Sequence, residues 1–372
     1  MVSYLCVSEE NLLMNQTDYH NTFLQLVRLG IGTSNNVSLK AFIDWPAIQA
    51  LATQQRLLAI ALDGIDKISL ECRPQKKYLL QWIGVTLQQE SQYATQKKSA
   101  TEMAILFHHN SIKTYVLKGE VVAECYPNPV HRCSSDLDCF LVSTKGVLNA
   151  WDLGNELIKN NGFEVENVFY KNSTLFLPGL VVENHKYLTP FRGNRRLSNF
   201  ERLLQSMLHQ DKSDDRFEGT WLYRPPVMVS ALFMVEHAYS HFLHEGLTWR
   251  HVLDWMMFSK KHQHCINWEE FSALIKEFGF RKFYETYIRL GKYLLGEISY
   301  EDLTKNDYQM LDDIWAPLDL HESVRGFKGK LALVGNTWRA RWKYRYFTNI
   351  TWVHALWIQV KGFLFMKEPK LD

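Results

Sequence analysis

The chain has 372 residues and a formal net charge of +2, with 46% hydrophobic and 22% charged residues. This composition excludes an intrinsically disordered chain, because the apolar material is ample for a buried core. The near balance of charge excludes a uniformly basic nucleic-acid-binding protein, so any site for a polyanion must be local. A chain of this length predicts roughly two domains, or one catalytic domain with helical additions.

The sequence also bears on the cellular compartment. No uncharged apolar run approaches the roughly 18 residues that a membrane-spanning helix needs. The N-terminus has no basic segment followed by an apolar one, so we expect neither a transmembrane segment nor a signal peptide. The 6 cysteines contain no C-x-x-C pair. We therefore expect reduced thiols and a cytoplasmic location.

Helical patterns dominate residues 1–110. Apolar residues recur at helical spacing over 21–30, over 46–61, where a proline stands near the start, and over 77–109. The last of these predicted helices is long enough to brace a sheet. The pattern indicates an N-terminal helical region at 1–110.

The strongest chemical signal lies at 114–142, where two predicted strands flank a short helical segment. Asp136 and Asp138 alternate with Leu137 on the second strand, so both carboxylates point to the same face. Two such carboxylates, about 6–7 Å apart along a strand, repel each other unless a cation lies between them. The pair predicts a divalent metal site, and carboxylate oxygens favour Mg²⁺, with Mn²⁺ as the alternative.

A second feature precedes these carboxylates, because the first strand runs into Lys118 and Gly119. Gly119 lets backbone amides approach a phosphate at the start of the helical segment 120–125. Lys118 either contacts that phosphate or points away and pairs with an acidic residue. Arg132 offers a planar fork that binds phosphate or braces the aspartates, an ordinary surface arginine being the alternative.

These motifs, in this order, resemble the nucleotidyltransferases of the DNA polymerase beta superfamily. They resemble more closely the bacterial family called nucleotidyltransferase family protein, whose members share a V-L-K-G, Y-P, R, D-x-D and L-V core. In this sequence the core consists of Val116-Leu117-Lys118-Gly119, Tyr126-Pro127, Arg132, Asp136-Leu137-Asp138 and Leu141-Val142.

The resemblance implies an α+β fold, with a mixed sheet and helices in a catalytic core at 111–195. It also implies transfer of a nucleoside monophosphate from an NTP, such as ATP, to an acceptor hydroxyl, with release of pyrophosphate. The acceptor stays open among a sugar phosphate, a peptide, a protein and a tRNA.

The resemblance also implies roles for individual residues. Asp136 and Asp138 hold the metal ions, and Glu183, on a predicted strand at 180–185, is the third metal carboxylate. Glu164 and Glu166 rival Glu183 on position alone, and a surface glutamate without such a role is the alternative.

For the triphosphate, the resemblance implies a seat at Gly119, with Lys118 and Arg132. Glu120 stands where the superfamily commonly has serine. That difference favours a second hypothesis, a catalytically weak or inactive nucleotidyltransferase-fold protein that binds RNA or a protein partner through a basic aromatic tail at 324–372.

A C-terminal helical region is predicted at 196–323. His237 and His241 lie on one helix face at a spacing that can chelate zinc, but the H-E-x-x-H pattern is absent, so packing or contact with the nucleotide cleft is favoured. Arg250 and Asp254 are spaced for an intrahelical ion pair.

The segment 324–372 forms a basic aromatic tail, which lacks Asp and Glu from 324 to 366. Three interpretations stay open: a packed helix with a solvated basic rim, a nucleic-acid contact through 324–366, and attachment to an anionic membrane surface or a partner protein.

Overall fold

A computed structural model describes residues 9–34, 43–146, 149–168, 170–191, 193–316, 338–348 and 350–365 of the chain. The fold is α+β, as predicted: a six-stranded mixed sheet is preceded and followed by helices. The strands are β1 (Ile112–Val116), β2 (Leu137–Ser143), β3 (Glu164–Val168), β4 (Asn172–Leu177), β5 (Leu180–His185) and β6 (Leu222–Tyr223). The helices before and within the sheet are α1 (Glu9–Gly30), α2 (Trp45–Gln54), α3 (Leu58–Ile65), α4 (Lys76–His109), α5 (Glu120–Ala123), α6 (Ala150–Asn160) and α7 (Arg195–Gln210). The later helices are α8 (Val227–His244), α9 (Trp249–Lys261), α10 (Trp268–Glu277), α11 (Arg281–Leu295), α12 (Lys305–Trp315), α13 (Arg341–Phe347) and α14 (Trp352–Phe365).

The sheet order is β3-β4-β5-β2-β1-β6. β2 pairs antiparallel with β1 and parallel with β5, which places β2 near the middle of the sheet. Every residue of β1 is buried, and β2 is buried from Leu137 to Val142. The central strands therefore form a rigid support for the residues at their ends.

The N-terminal helices pack on each other and on the sheet. Gly30 and Gly64 allow the close approach of α1 and α3. A Cβ on Gly30 would overlap the carbonyl oxygen of Ile60 in α3, and a Cβ on Gly64 would overlap that of Leu26 in α1. The long helix predicted over 77–109 is confirmed as α4, which contacts β1.

The single helix predicted over 46–61 is wrong. The chain breaks between α2 and α3, where Arg56 has a positive φ of 55°. The cause is tertiary: the fully buried Gln55 accepts a hydrogen bond from Trp249 N at 2.8 Å and donates one to Ile314 O at 2.9 Å. These bonds fix the turn against α9 and α12, which overrides helix propensity.

Part of the basic aromatic tail packs against the helical region. The buried Lys343 on α13 donates to Asp313 Oδ2 at 2.8 Å and to Phe242 O at 2.7 Å, and Phe347 is fully buried. This agrees with the interpretation of a packed segment for α13. The tail residues at 324–337, 349 and 366–372 lie outside the described residues, and nucleic-acid contact stays a prediction.

Among the helices that the structure describes, none combines the length and apolarity needed to cross a bilayer. The division of the chain at 110, 195 and 323 stays a prediction.

A buried carboxyl group lies on α8. Glu236 is 2% exposed, and its Oε2 has no hydrogen-bond partner among the residues that the structure describes. Burial raises the pKa of Glu236 from 4.5 to about 8, with the charge of Lys171 opposing the shift and that of Glu201 adding to it. Folded protein therefore binds more protons than unfolded protein between these values. The stabilisation linked to this proton is complete below pH 4.5 and is lost as pH rises through about 8.

We expect Glu236→Gln to be about as stable as the parent near pH 5 and roughly 4–5 kcal/mol more stable above pH 8, because glutamine has no proton to lose. Urea unfolding at the two pH values measures this difference. Glu277→Gln, on the exposed face of α10, is the control and should show no such dependence. An equal gain for Glu236→Gln at both pH values would contradict the prediction.

Candidate active site

Three acidic residues meet at one end of the central strands. Asp138 on β2 and Glu183 on the parallel strand β5 are register partners. Asp136 lies one residue before β2 and lines the same cavity of 360 Å³ as the other two carboxylates. Glu166, one of the two alternatives to Glu183, lies on the edge strand β3, two strands away from Glu183 and level with it across the sheet. The structure thus brings Asp136, Asp138 and Glu183 together.

His185 joins this group, although the sequence analysis did not assign it to the site. Its Nε2 lies 2.9 Å from Asp138 Oδ1 and 3.5 Å from Glu183 Oε2. The ligand atoms of these three residues all lie within 4.8 Å of one another. The signal was present in the sequence, since His185 follows Glu183 by two residues and therefore shares its strand face.

The two strand carboxylates have opposite electrostatic environments. Burial alone would raise the pKa of Asp138, but the hydrogen bond and charge of His185, together with Lys118, hold it below its usual value. Burial and the charge of Asp138 raise the pKa of Glu183. Asn172 Nδ2 also donates to Glu183 Oε2 at 2.9 Å. Asp138 is therefore the firmly ionised member, and Glu183 takes up a proton more readily.

Lys118 and Gly119 form one wall of this cavity. Lys118 is buried, and its ammonium makes no hydrogen bond or ion pair with a described residue. Burial lowers its pKa to about 8, with the charge of Arg250 adding to the shift and that of Asp138 opposing it.

Gly119 has a positive φ of 67°, and Ser134 Oγ lies 3.7 Å from the position that a Cβ would take at Gly119. A serine hydroxyl is therefore present beside the glycine, supplied by another part of the chain.

Glu120 lies outside the lining of the cavity that Asp136, Asp138 and Glu183 share. Its Oε2 accepts a hydrogen bond from the Tyr93 hydroxyl at 2.7 Å. Glu120 lines a neighbouring cavity of 350 Å³, which shares Gly119, Ser134 and Asp136 with the first cavity. The carboxylate that replaces the usual serine thus faces this second cavity.

Arg132 is 2% exposed, which excludes an ordinary surface arginine. Its Nε and Nη2 bind the two carboxylate oxygens of Asp254 at 3.1 and 2.7 Å. The Tyr126 hydroxyl donates to Asp254 Oδ1 at 2.8 Å, and Arg250 Nη1 lies 3.4 Å from Oδ2, as predicted for the intrahelical pair. The guanidinium of Arg132 is therefore bound to Asp254, and Arg132 connects the segment before β2 to α9.

The helical region provides the opposite wall of the cavity. His241 Nε2 lies 3.0 Å from His237 Nε2, and His241 Nδ1 lies 2.8 Å from Glu245 Oε2. Burial holds the pKa of His237 well below its usual value, and the charge of Lys118 adds to the shift. Within the described ranges, the one group of at least three metal-ligating side chains is Asp138, Glu183 and His185. The two histidines therefore contact the cleft as a hydrogen-bonded pair.

Several cations converge on the cavity, and sequence analysis did not find all of them. Lys118, Lys171, Arg56 and Arg250 line it together with the carboxylates. Arg250 is 7% exposed, and its Nε is buried without a partner in the described part of the chain. A buried donor without a partner, in a cavity lined by cations, suits an anionic ligand.

The carboxylates fit a hard divalent cation. Oxygen ligands from Asp and Glu suit Mg²⁺ and Mn²⁺, whereas imidazole is preferred by zinc and other transition metals. Asp138 and Glu183, with Asp136 beside them in the cavity, would therefore supply the oxygen donors, and His185 contacts Asp138 Oδ1.

A family model described as Uncharacterised nucleotidyltransferase matches residues 42–296. The chain belongs to this family of nucleotidyltransferases. The matched span includes the carboxylates of the sheet and the cations and histidines of α8 and α9, so both walls of the cavity lie inside it. No curated protein and no solved structure matches the chain significantly.

Proposed function

We propose that this nucleotidyltransferase moves a nucleoside monophosphate from an NTP to an acceptor hydroxyl, with release of pyrophosphate, in a metal-dependent reaction. One observation carries the proposal: three carboxylates with metal-binding chemistry and a set of cations line one cavity of 360 Å³. An NTP with its divalent cation needs both kinds of group within one site.

Asp136, Asp138 and Glu183 would hold Mg²⁺ or Mn²⁺, which when bound neutralises charge on the phosphates and lowers the pKa of the acceptor hydroxyl. Asp138 keeps its charge because His185 donates to it. Glu183 has a raised pKa, and we assign to it the acceptor side of the site, where a hydroxyl proton is released.

For the triphosphate, we assign contacts to Gly119, Lys118 and Arg250. Lys118 Nζ is a hydrogen-bond donor that has no partner among the described residues. Arg250 Nε is a second such donor, and it is buried. Arg132 would act indirectly, by holding Asp254 and with it the helix that carries Arg250.

Transfer of label tests this proposal. The purified parent and the Asp136→Ala/Asp138→Ala double variant are incubated with each of four alpha-labelled NTPs, a cell lysate and Mg²⁺ or Mn²⁺. We expect the parent alone to label a species in the lysate, and the chemical nature of that species then gives the acceptor class. Equal labelling by the double variant, or no label and no metal-dependent NTP binding by the parent, would contradict the proposal and favour the binding-protein hypothesis.

A further inference from the structure

The turn between α2 and α3 presents a cation to the cavity. Arg56 stands there with a φ of 55°, a conformation that non-glycine residues seldom adopt. The neighbouring Gln55 is fully buried and is bonded to Trp249 N and Ile314 O, which belong to other parts of the chain. The backbone is therefore held in an unfavourable conformation by contacts from two further helices. Conformations of this kind are concentrated at ligand-binding sites.

The side chain of Arg56 extends to Ser135, the residue that directly precedes Asp136. Its Nη1 lies 3.4 Å from Ser135 Oγ, and this hydroxyl donates to Asp136 Oδ1 at 3.1 Å. Arg56 also lines the cavity of 360 Å³ together with Lys118 and Arg250. It makes no ion pair with a described residue, so its charge stays available for a ligand.

The two aspartates have different neighbours, and this difference gives the cavity a direction. Asp138 is the register partner of Glu183 and is bonded to His185. Asp136 is connected instead, through Ser135, to Arg56. The cluster of Asp138, Glu183 and His185 therefore marks one side of the cavity, and Arg56 with Asp136 marks the other. We assign the leaving pyrophosphate to the side that carries Arg56. An in-line displacement requires the attacking and leaving oxygens to lie on opposite sides of the transferred phosphorus.

We infer that Arg56 binds the β- and γ-phosphates of the NTP and stabilises the departing pyrophosphate. The N-terminal helical region then completes the nucleotide site, and the strained turn at Arg56 is a phosphate-binding element. This inference rests on the proposed nucleotidyl transfer. In the balanced step, the acceptor hydroxyl releases its proton on the Glu183 side of the site, and its oxygen forms a bond to the α-phosphorus. The bond from that phosphorus to the oxygen that bridges the α- and β-phosphates breaks at the same time. The bond electrons leave with pyrophosphate. Arg56 faces the negative charge that pyrophosphate gains in this step.

Arg56→Gln and Arg56→Gly test the inference, with Arg281→Gln, from an exposed ion pair on α11, as the matched control. Calorimetry measures the affinity of each protein for an NTP and for pyrophosphate in Mg²⁺, and competition against the NTP measures the affinity for the corresponding NMP. We expect both Arg56 variants to lose roughly ten- to a hundredfold in affinity for the NTP and pyrophosphate, with little change for the NMP.

Arg56→Gly separates binding from folding. Glycine adopts a positive φ without strain, so this variant should unfold at a temperature no lower than the parent while it binds the NTP more weakly. Unchanged NTP affinity in both variants, or an equal loss for the NMP, would overturn the inference. If Asp138→Asn abolishes metal-dependent NTP binding while Arg56→Gln leaves it intact, this inference fails and the proposed function stands. If the parent binds no NTP and no pyrophosphate, both fail.

Discussion

Replacement of Asp254 by alanine is expected to lower the free energy of unfolding by about 3–5 kcal/mol, the cost of removing one partner from a buried ion pair. Asp254 is 1% exposed and accepts hydrogen bonds from Arg132 at 3.1 and 2.7 Å and from Tyr126 at 2.8 Å. Without this carboxylate, the Arg132 guanidinium stays buried with no opposite charge, and the nearby Arg250 loses the same partner. Urea unfolding at neutral pH measures the change.

Two further variants give this prediction its controls. Arg132→Met/Asp254→Leu should recover part of the lost stability, because the double replacement leaves no unpaired charge at position 132. Glu285→Ala removes the partner of Arg281 in an exposed pair, so its stability should change little. Equal and small effects of Asp254→Ala and Glu285→Ala would show that the buried network does not stabilise the fold.

Local patterns predicted much of the fold and part of the site. The 34-residue helix α4 and the strand β5 have long or regular apolar patterns, and both were predicted from the sequence. Glu183 was identified because its strand lies where the family has its third carboxylate. The structure places it as the register partner of Asp138. The intrahelical pair of Arg250 and Asp254 also follows from spacing alone, because residues four apart share a helix face.

Contacts between distant parts of the chain could not be predicted in the same way. Arg132 and Asp254 are 122 positions apart, so nothing in the local sequence shows that Asp254 occupies the fork of Arg132. The turn at Arg56 is equally hidden, because Gln55 and Arg56 are ordinary helix formers. The hydrogen bonds of Gln55 to Trp249 and Ile314 end the helix there. The residues that complete the cavity are thus those whose positions depend on tertiary packing.

Asp138→Asn should reduce nucleotidyl transfer on the order of 10³-fold or more. A bound metal ion contributes several kcal/mol of charge stabilisation in the transition state, and each 1.36 kcal/mol corresponds to about tenfold in rate. Asparagine keeps the shape of the side chain and an oxygen that can face His185, which lies 2.9 Å from Asp138 Oδ1. The fold should therefore persist while the charge that holds the cation is lost. Label transfer from an alpha-labelled NTP gives the rate, and thermal unfolding verifies the fold.

The matched control for Asp138→Asn is Glu164→Gln, which neutralises an exposed carboxylate on the edge strand β3. Transfer by Glu164→Gln should equal that of the parent, because this side chain lies outside the cavity. Metal-dependent NTP binding should follow the same order, being lost in Asp138→Asn and retained in Glu164→Gln. A folded Asp138→Asn protein with parental transfer would remove the central metal ligand from the mechanism. Loss of transfer in both variants would mean that overall negative charge, rather than the geometry at the start of β2, governs the reaction. The predicted contrast between them tests whether Asp138 holds the metal ion beside Glu183.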